Sequence, residues 1–209
     1  MRDTVQLYPR WLRLWHWTNA LLFLALIVTG ASLHFSGDSV WIMPFAQARL
    51  IHNVCGVLLT LAYVFFLAFN LSTGNLRHYL PEPRKLLERT LIQIRYYGVD
   101  IFHGRPQPFP ATARCKFNPL QQLTYLGVMF FMLPLLIVSG LLFMFPEYAP
   151  EDIMGMGGLW PMAVLHQLLG YLLVAFLLGH LYLATAGSSV TADFRKMLRG
   201  HEIKAEEQP

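Results

Sequence analysis

The sequence is poor in charged residues and in cysteine. Only 13% of its 209 residues are charged, against roughly 25% in an ordinary soluble domain, so a water-soluble globule is not expected. It holds two cysteines, Cys55 and Cys115, and no C-x-x-C pair, which excludes a disulfide scaffold, a zinc ribbon and c-type haem attachment. Disorder is excluded because 55% of the residues are hydrophobic and the mean hydropathy is +0.43.

Long apolar runs occupy much of the chain. Each exceeds or approaches the 20 or so residues that an α-helix needs to cross the hydrocarbon core. We therefore predict an all-α integral membrane protein, a four-transmembrane-helix bundle that forms a single domain over residues 1–209. The first run is too long for the apolar core of a signal peptide, so we expect it to be retained. The predicted spans are residues 12–35, 51–71, 121–145 and 162–187.

Basic residues are distributed unevenly between the loops. Fifteen of the sixteen lysines and arginines lie before or at the very start of the first span, between the second and third, or after the fourth. Because positively charged loops stay on the cytoplasmic side, both termini are predicted to be cytoplasmic, in a bacterial inner membrane. This topology accounts for the net charge of +4, and no nucleic acid is expected as a partner.

The loop between the second and third spans contains a helical pattern of its own. Apolar residues recur every three or four positions over residues 84–102, and basic residues occupy the other faces. This pattern predicts an amphipathic helix that lies at the inner membrane surface near anionic headgroups. A cytoplasmic helix packed on the bundle is the alternative.

Four of the eight histidines lie in predicted spans away from the loop-side edge where His34 lies, in a region where ionisable side chains are rare and usually functional. The alternating direction of the spans places these histidines at two depths. His16 and His180 fall near the inner face, and His52 and His166 near the outer face. Fourteen residues separate the two histidines of the fourth span, so they project from nearly one face of the helix, about 21 Å apart.

Two such pairs fit two haem groups better than they fit zinc. Zinc usually takes four protein ligands, or three and a water, and the sequence has no H-E-x-x-H motif or cysteine partner. Two imidazoles on opposite faces of an iron porphyrin leave no open position for oxygen or substrate, so the iron can only exchange electrons. The histidines therefore predict a dihaem b-type electron conduit, with an inner haem and an outer haem.

Glycines near the histidines could give a porphyrin room. Gly56 and Gly170 each follow an outer histidine by one helical turn, and Gly30 lies 14 residues after His16 on the same helix face. We expect these three to provide haem clearance, with close helix packing as the alternative. For Gly127, Gly140 and Gly179, we expect helix packing.

Arginines near the predicted haem edges could bind the propionates. Arg13 lies beside the inner pair, and Arg49 is the only basic residue in the two outer loops. For both, the alternative is a side chain that extends to lipid phosphate.

Four motifs of the chain resemble a known family. They are similar to segments of the membrane cytochrome b subunits of thiosulfate reductases, formate dehydrogenases (gamma subunit) and nickel-iron hydrogenases. The resemblance is closest to the thiosulfate reductase type, through Y-Y-G-V-D-I-F-H-G at 96–104. The motifs are L-W-H-W-T-N at 14–19, L-I-H-N-V-C-G at 50–56, C-K-F-N-P-L-Q-Q at 115–122 and the two histidines of the fourth span.

The resemblance implies a cytochrome with two haem b groups that links a quinone pool, menaquinone or ubiquinone, to a periplasmic redox subunit. That subunit would be an iron-sulfur/molybdenum enzyme, a hydrogenase or a multihaem cytochrome c, and it would carry the substrate chemistry of the respiratory oxidoreductase. By the same resemblance, Asn118 and Gln121 would hydrogen-bond a quinone. The alternative is that Asn118 caps the third span, with Pro119 at the first helical position.

Two other classes of function are compatible with the sequence. A haem-free transporter would use the histidines as a proton relay, although no broken helices or inverted repeats mark such a fold. A structural membrane anchor would hold a redox enzyme without conducting electrons. The conduit alone predicts both visible haem absorption and loss of electron flow when His180 is replaced.

Overall fold

The structure is a computed structural model that describes residues 4–6, 8–37, 42–110, 116–186 and 189–203, so Cys115 lies outside the described residues. Four helical segments are long and apolar enough to cross a membrane, which confirms the predicted all-α membrane fold. The first, second and fourth are single helices, whereas the third is interrupted. The spans are α1 (Arg10–His34), α2 (Phe45–Ser72), α4 (Pro119–Gly127) continued by a π-helical turn (Val128–Met132) and α5 (Leu133–Met144), and α6 (Leu159–Thr185).

Each spanning helix begins a few residues before the apolar run from which we predicted it. The second span begins at Phe45, directly after Pro44, rather than at residue 51. The added residues, F-A-Q-A-R-L, include good helix formers, and Gln47 and Arg49 interrupt the apolar run. Hydropathy therefore located the membrane-embedded part of this helix and missed its polar beginning.

The π-helical turn in the third span precedes Pro134. Proline lacks a backbone N–H, and its ring collides with the carbonyl four residues earlier in a regular α-helix. That carbonyl belongs to Phe130, inside the wider π turn. The turn thus lets the span continue past the proline.

The loop helix is shorter than predicted. α3 covers Leu86–Gly98, and a separate 3-10 turn at Asp100–His103 replaces the rest of the expected segment 84–102. The helix ends there because Val99 has φ −138° and ψ −58°, outside the α-helical region. Its apolar stripe is exposed, as expected of a helix that meets lipid; the stripe includes Leu87, Leu91 and Ile94.

The chain packs as two compact units, and each of the four spans contributes residues to both. The first unit comprises residues 1–13, 69–130 and 179–209, and the second comprises residues 14–68 and 131–178. Three antiparallel residue pairs join β1 (Thr4–Gln6) to β4 (His201–Ile203) in the first unit, which also holds α3 and α7 (Ala192–Arg199). The second unit includes a short hairpin of β2 (Asp152–Ile153) and β3 (Met156–Gly157).

Aromatic side chains form part of the packing inside each unit. In the first unit, the rings of Tyr79, Phe117 and Tyr125 contact one another, with centroids 5.0 to 6.3 Å apart. In the second unit, Trp15 stacks on Phe66 at 4.4 Å and donates its indole N–H to the carbonyl of Ala62 at 2.8 Å. The latter bond ties α1 to α2.

Candidate functional site

The second unit brings together His52 of α2 and His166 of α6, two histidines that the sequence analysis had paired by depth. Their ring centroids are 6.3 Å apart, and their ring planes are inclined at 66°. Both side chains are half-buried. The two imidazoles therefore share one location between two membrane-spanning helices.

A hydroxyl group from a neighbouring helix contacts each imidazole. His52 Nδ1 lies 2.9 Å from Thr29 Oγ1 of α1, and His166 Nδ1 lies 2.9 Å from Ser139 Oγ of α5. Both hydroxyl residues are 1% exposed. With Nδ1 engaged on each ring, Nε2 is the nitrogen left to bind a metal.

The separation of the two rings fits one metal ion between them. A bond from a metal to an imidazole nitrogen is about 2 Å long. In a five-membered ring with bonds of about 1.33 Å, the ring centroid lies about 1.1 Å beyond the nitrogen. Two imidazoles on opposite sides of one iron would thus have centroids roughly 6.3 Å apart. The observed centroid distance is also 6.3 Å.

The surroundings of the two histidines fit a porphyrin better than a protein-only metal site. A Cβ added at Gly56 or at Gly170, one turn after each histidine, would meet no atom within 4 Å. Among the residues that the structure describes, no three His, Cys, Asp or Glu side chains converge as a metal site without other ligands requires. The donor set is therefore two imidazoles, with open space around the glycine one turn after each.

Two other glycines contact the histidine rings directly. A Cβ at Gly30 would lie 3.5 Å from His52 Cε1, and a Cβ at Gly140 would lie 3.2 Å from His166 Cε1. Clearance was expected at Gly30, and the nearest group there is the imidazole ring itself. Gly140 had been assigned to general helix packing, whereas the group it accommodates is His166.

His16 and His180 lie on α1 and α6 as expected, but in different units: His16 in the second and His180 in the first. The His16 ring packs edge-on against Trp17, with centroids 5.2 Å apart. Both histidines are half-buried. Their pairing at an inner haem stays a prediction.

The two arginines differ in their surroundings. Arg13 donates from its guanidinium to the carbonyl of Leu198 in α7, a contact that neither the propionate nor the lipid alternative anticipated. Arg49 is exposed near the start of α2. A propionate role for either residue stays a prediction.

Asn118 and Gln121 form the helix cap that was one of the two alternatives. Asn118 Oδ1 accepts from the Gln121 backbone N–H at 2.9 Å, and Gln121 Oε1 accepts from the Asn118 N–H at 3.1 Å. This reciprocal pair, with Pro119 at the first helical position, is a capping box for the third span. Asn118 also donates from Nδ2 to the Tyr97 hydroxyl of α3 at 3.0 Å.

A polar stripe on α3 extends this capped region and was missed by the sequence analysis. Thr90 and Gln93 are buried; among the described residues the Thr90 hydroxyl has no hydrogen-bond partner, and the Gln93 amide interacts only weakly, with the Tyr97 hydroxyl. Burial raises the pKa of Tyr97, one turn further along, the main opposing effect being its hydrogen bond with Asn118. Polar residues at positions 90, 93 and 97 were the available signal, about a quarter turn around the helix from the apolar stripe that drew attention.

Known proteins are similar in sequence to this chain. A family model described as prokaryotic cytochrome b561 matches residues 7–200. The chain belongs to the prokaryotic cytochrome b561 family. This cytochrome is also 38% identical over 199 residues to YdhU, a protein of Escherichia coli (strain K12) named as a candidate cytochrome; the match covers 95% of this chain and 75% of the relative.

Membership confirms the resemblance found in the motifs. The chain is a multi-pass bacterial membrane cytochrome that binds b-type haem and transfers electrons. Proteins of this family work with redox enzymes and quinone. The haem-free transporter alternative therefore loses its support.

Proposed function

We propose that this cytochrome carries electrons across the inner membrane through two bis-histidine b haems, as one domain with both termini in the cytoplasm. The single observation that carries the proposal is the His52–His166 pair, with ring centroids 6.3 Å apart. Bound haem would supply one-electron chemistry at this pair. The protein would hold its iron from both sides, so that no oxygen or substrate reaches it.

The inner haem would be bound by His16 and His180. Support comes from α6, a continuous helix that carries both His166 and His180. Their spacing of 14 residues puts them on nearly the same helix face, about 21 Å apart along the axis. Two haems on one face of one helix would give electrons a direct path between the membrane surfaces.

The quinone headgroup would bind in the first unit, where α3 meets the start of the third span. An apolar ligand with two oxygen atoms needs a few convergent polar groups in an apolar site. Asn118 and Gln121 supply polar atoms there, and the buried amide of Gln93 supplies a donor and an acceptor. Menaquinone and ubiquinone both fit this description.

The partner would be a periplasmic redox subunit that exchanges electrons with the outer haem. An iron-sulfur/molybdenum enzyme, a hydrogenase and a multihaem cytochrome c are the candidates that the family resemblance implies. Arg49, exposed on the predicted outer side, would bind an outer-haem propionate. Substrate chemistry would then take place on the partner, and this chain would be the quinone-reactive subunit.

The test is a count of haem per chain. We expect a pyridine haemochrome assay of the detergent-purified protein to give two b haems, and a dithionite-reduced minus air-oxidised spectrum to show their absorption. His52→Ala and His16→Ala should each leave one haem. The matched control is His34→Ala, since His34 is an exposed histidine at the end of α1 bonded to Gln167. One haem per native chain would contradict the dihaem proposal. Folded native protein without haem absorption in both the reduced and the oxidised sample would contradict the electron conduit.

A further inference from the structure

We propose that Thr29 and Ser139 are positioning residues for the outer haem: their hydroxyls fix the tautomer and the ring plane of its two axial histidines. The inference rests on the proposed ligation of that haem by His52 and His166. It assigns a role to two residues that stand 23 and 27 positions away from those histidines along the chain.

The first step of the argument is an account of the hydroxyl protons. Thr29 Oγ1 lies 2.7 Å from the Ala25 carbonyl of its own helix. Ser139 Oγ lies 2.8 Å from the Leu135 carbonyl of its helix. A carbonyl oxygen can only accept, and a hydroxyl has one proton to donate. We infer that this proton goes to the carbonyl of the hydroxyl's own helix in both cases, which leaves the hydroxyl oxygen to face Nδ1.

The second step follows for the histidines. Because each hydroxyl donates to a carbonyl, its oxygen can meet the facing Nδ1 atom only as an acceptor. His52 and His166 must then carry their protons on Nδ1 and keep lone pairs on Nε2. This is the tautomer that an axial haem ligand requires.

The third step concerns the planes of the rings. Each ring bonds the hydroxyl through Nδ1, and its Cε1 lies next to the position that a side chain would occupy at the glycine following the hydroxyl residue. These glycines are Gly30 beside His52 and Gly140 beside His166, where an added Cβ would lie 3.5 and 3.2 Å from Cε1. A hydrogen bond and a close-lying helix backbone beside it should restrict rotation of each ring, so we expect the 66° between the ring planes to be kept when haem is bound.

The fourth step is that the chain contains this arrangement twice. L-I-V-T-G at 26–30 on α1 and L-I-V-S-G at 136–140 on α5 present a hydroxyl and then a glycine. The facing helices contribute H-N-V-C-G at 52–56 and H-Q-L-L-G at 166–170, each with a glycine one turn after the histidine. Two occurrences with equal 2.9 Å contacts indicate a specific device rather than incidental bonds of buried hydroxyls.

The expected consequence is electronic as well as geometric. An Nδ1–H that donates to an oxygen makes the imidazole a stronger electron donor through Nε2, which favours oxidised iron. The angle between two axial imidazole planes also determines the low-spin EPR spectrum of a ferric haem. Loss of one hydroxyl should therefore raise the midpoint potential of the outer haem and change its EPR signal.

The experiment uses Thr29→Val and Ser139→Ala in the full-length, haem-loaded protein. We expect each to shift the outer-haem EPR g values and to raise its midpoint potential, with the inner-haem signals unchanged. Thr29→Ser and Ser139→Thr keep the hydroxyl and should restore native values. The matched control is Thr60→Val, because Thr60 donates to its own helix at Gly56 and has no histidine contact among the bonds described.

The outcomes separate this inference from the proposed function. Unchanged g values and potential in both Thr29→Val and Ser139→Ala would overturn the inference. If Thr29→Val loses the outer haem while the inner haem remains, recovery in Thr29→Ser supports the inference, and failure to recover overturns it. The proposed function fails separately, if His52→Ala retains both haems.

Discussion

The two units of the molecule satisfy their buried polar groups in different ways. In the second unit, Thr29, Ser32 and Ser139 donate to carbonyls of their own helices, and the hydroxyls of Thr29 and Ser139 also meet a histidine. In the first unit, amide side chains take part in bonds to other side chains and to a loop carbonyl, and two of these bonds join segments more than 40 positions apart. Lys116 donates to Asn75, Asn75 to Asn70, and Gln122 to the carbonyl of His78.

This difference shows what each region is built to do. A continuous membrane helix supplies its own carbonyls, so a hydroxyl there is satisfied locally and its lone pair stays available for a neighbour. Where the chain leaves the helices, backbone and side-chain groups need partners from elsewhere. The buried polar side chains of the first unit therefore bond mainly to one another and to loop backbone. Those of the second unit lie in mostly apolar helices, and two of them also contact a histidine.

The largest effect should come from His166→Ala, which removes one of the two imidazoles of the second unit. We expect complete loss of the outer haem, because a single remaining axial ligand does not hold the iron from both sides. Haem per chain, measured as pyridine haemochrome, should fall from two to one. Retention of both haems in folded His166→Ala protein would contradict the proposal that the second unit binds the outer haem through His166.

A smaller but clear effect should come from Gln93→Leu in the first unit. Loss of a buried hydrogen-bonding amide at a ligand site costs about 1–3 kcal/mol, so the KM for a quinol should rise by about tenfold. Haem content and the reduced spectrum should stay native. Stopped-flow reduction of the haems at varied quinol concentration measures this.

The control for that variant is Gln107→Leu, an exposed amide in the same loop region. We expect its KM to stay native. An unchanged KM in Gln93→Leu would mean that the polar network of the first unit serves only to hold the chain together.

Asn118→Ala tests the helix cap at the start of the third span. Loss of the cap should lower the free energy of unfolding by about 1 kcal/mol, seen as a lower temperature for haem bleaching. Asn118→Asp keeps the capping oxygen and removes the donor to Tyr97. If Asn118→Asp keeps native stability but loses quinol reactivity, Asn118 combines the cap with the quinone role. Native quinol reactivity in both variants would show that Asn118 serves only as the helix cap.

The smallest effect should come from Glu82→Gln at the surface of the first unit. Glu82 accepts from Arg89 at 2.9 Å, but its side chain is 65% exposed. Exposed ion pairs contribute about 0.2–1 kcal/mol and weaken with salt. The haem-bleaching temperature should thus fall slightly at low ionic strength and match the native protein at high ionic strength. A large loss that persists in high salt would show that this surface belongs to the structural network.

The sequence by itself determined the four spans and the class of fold. It also indicated the pairing of His52 with His166, which the structure places close together. Hydropathy and charge act on whole segments, so composition is sufficient to locate them. The spacing of His166 and His180 also follows from helix geometry alone. Segment ends were less predictable, because Pro44 and Val99 mark boundaries that hydropathy does not register.

Only the tertiary structure decided which side chains meet. Periodicity places a residue on a face of its helix, but the rotation of each helix about its axis determines which face a neighbour presents. The contacts of Thr29 with His52 and of Ser139 with His166 depend on that rotation, as does the burial of Gln93. The two similar pentapeptides, at 26–30 and 136–140, are visible in the sequence. Only helix packing brings the hydroxyl of each to a histidine on another helix.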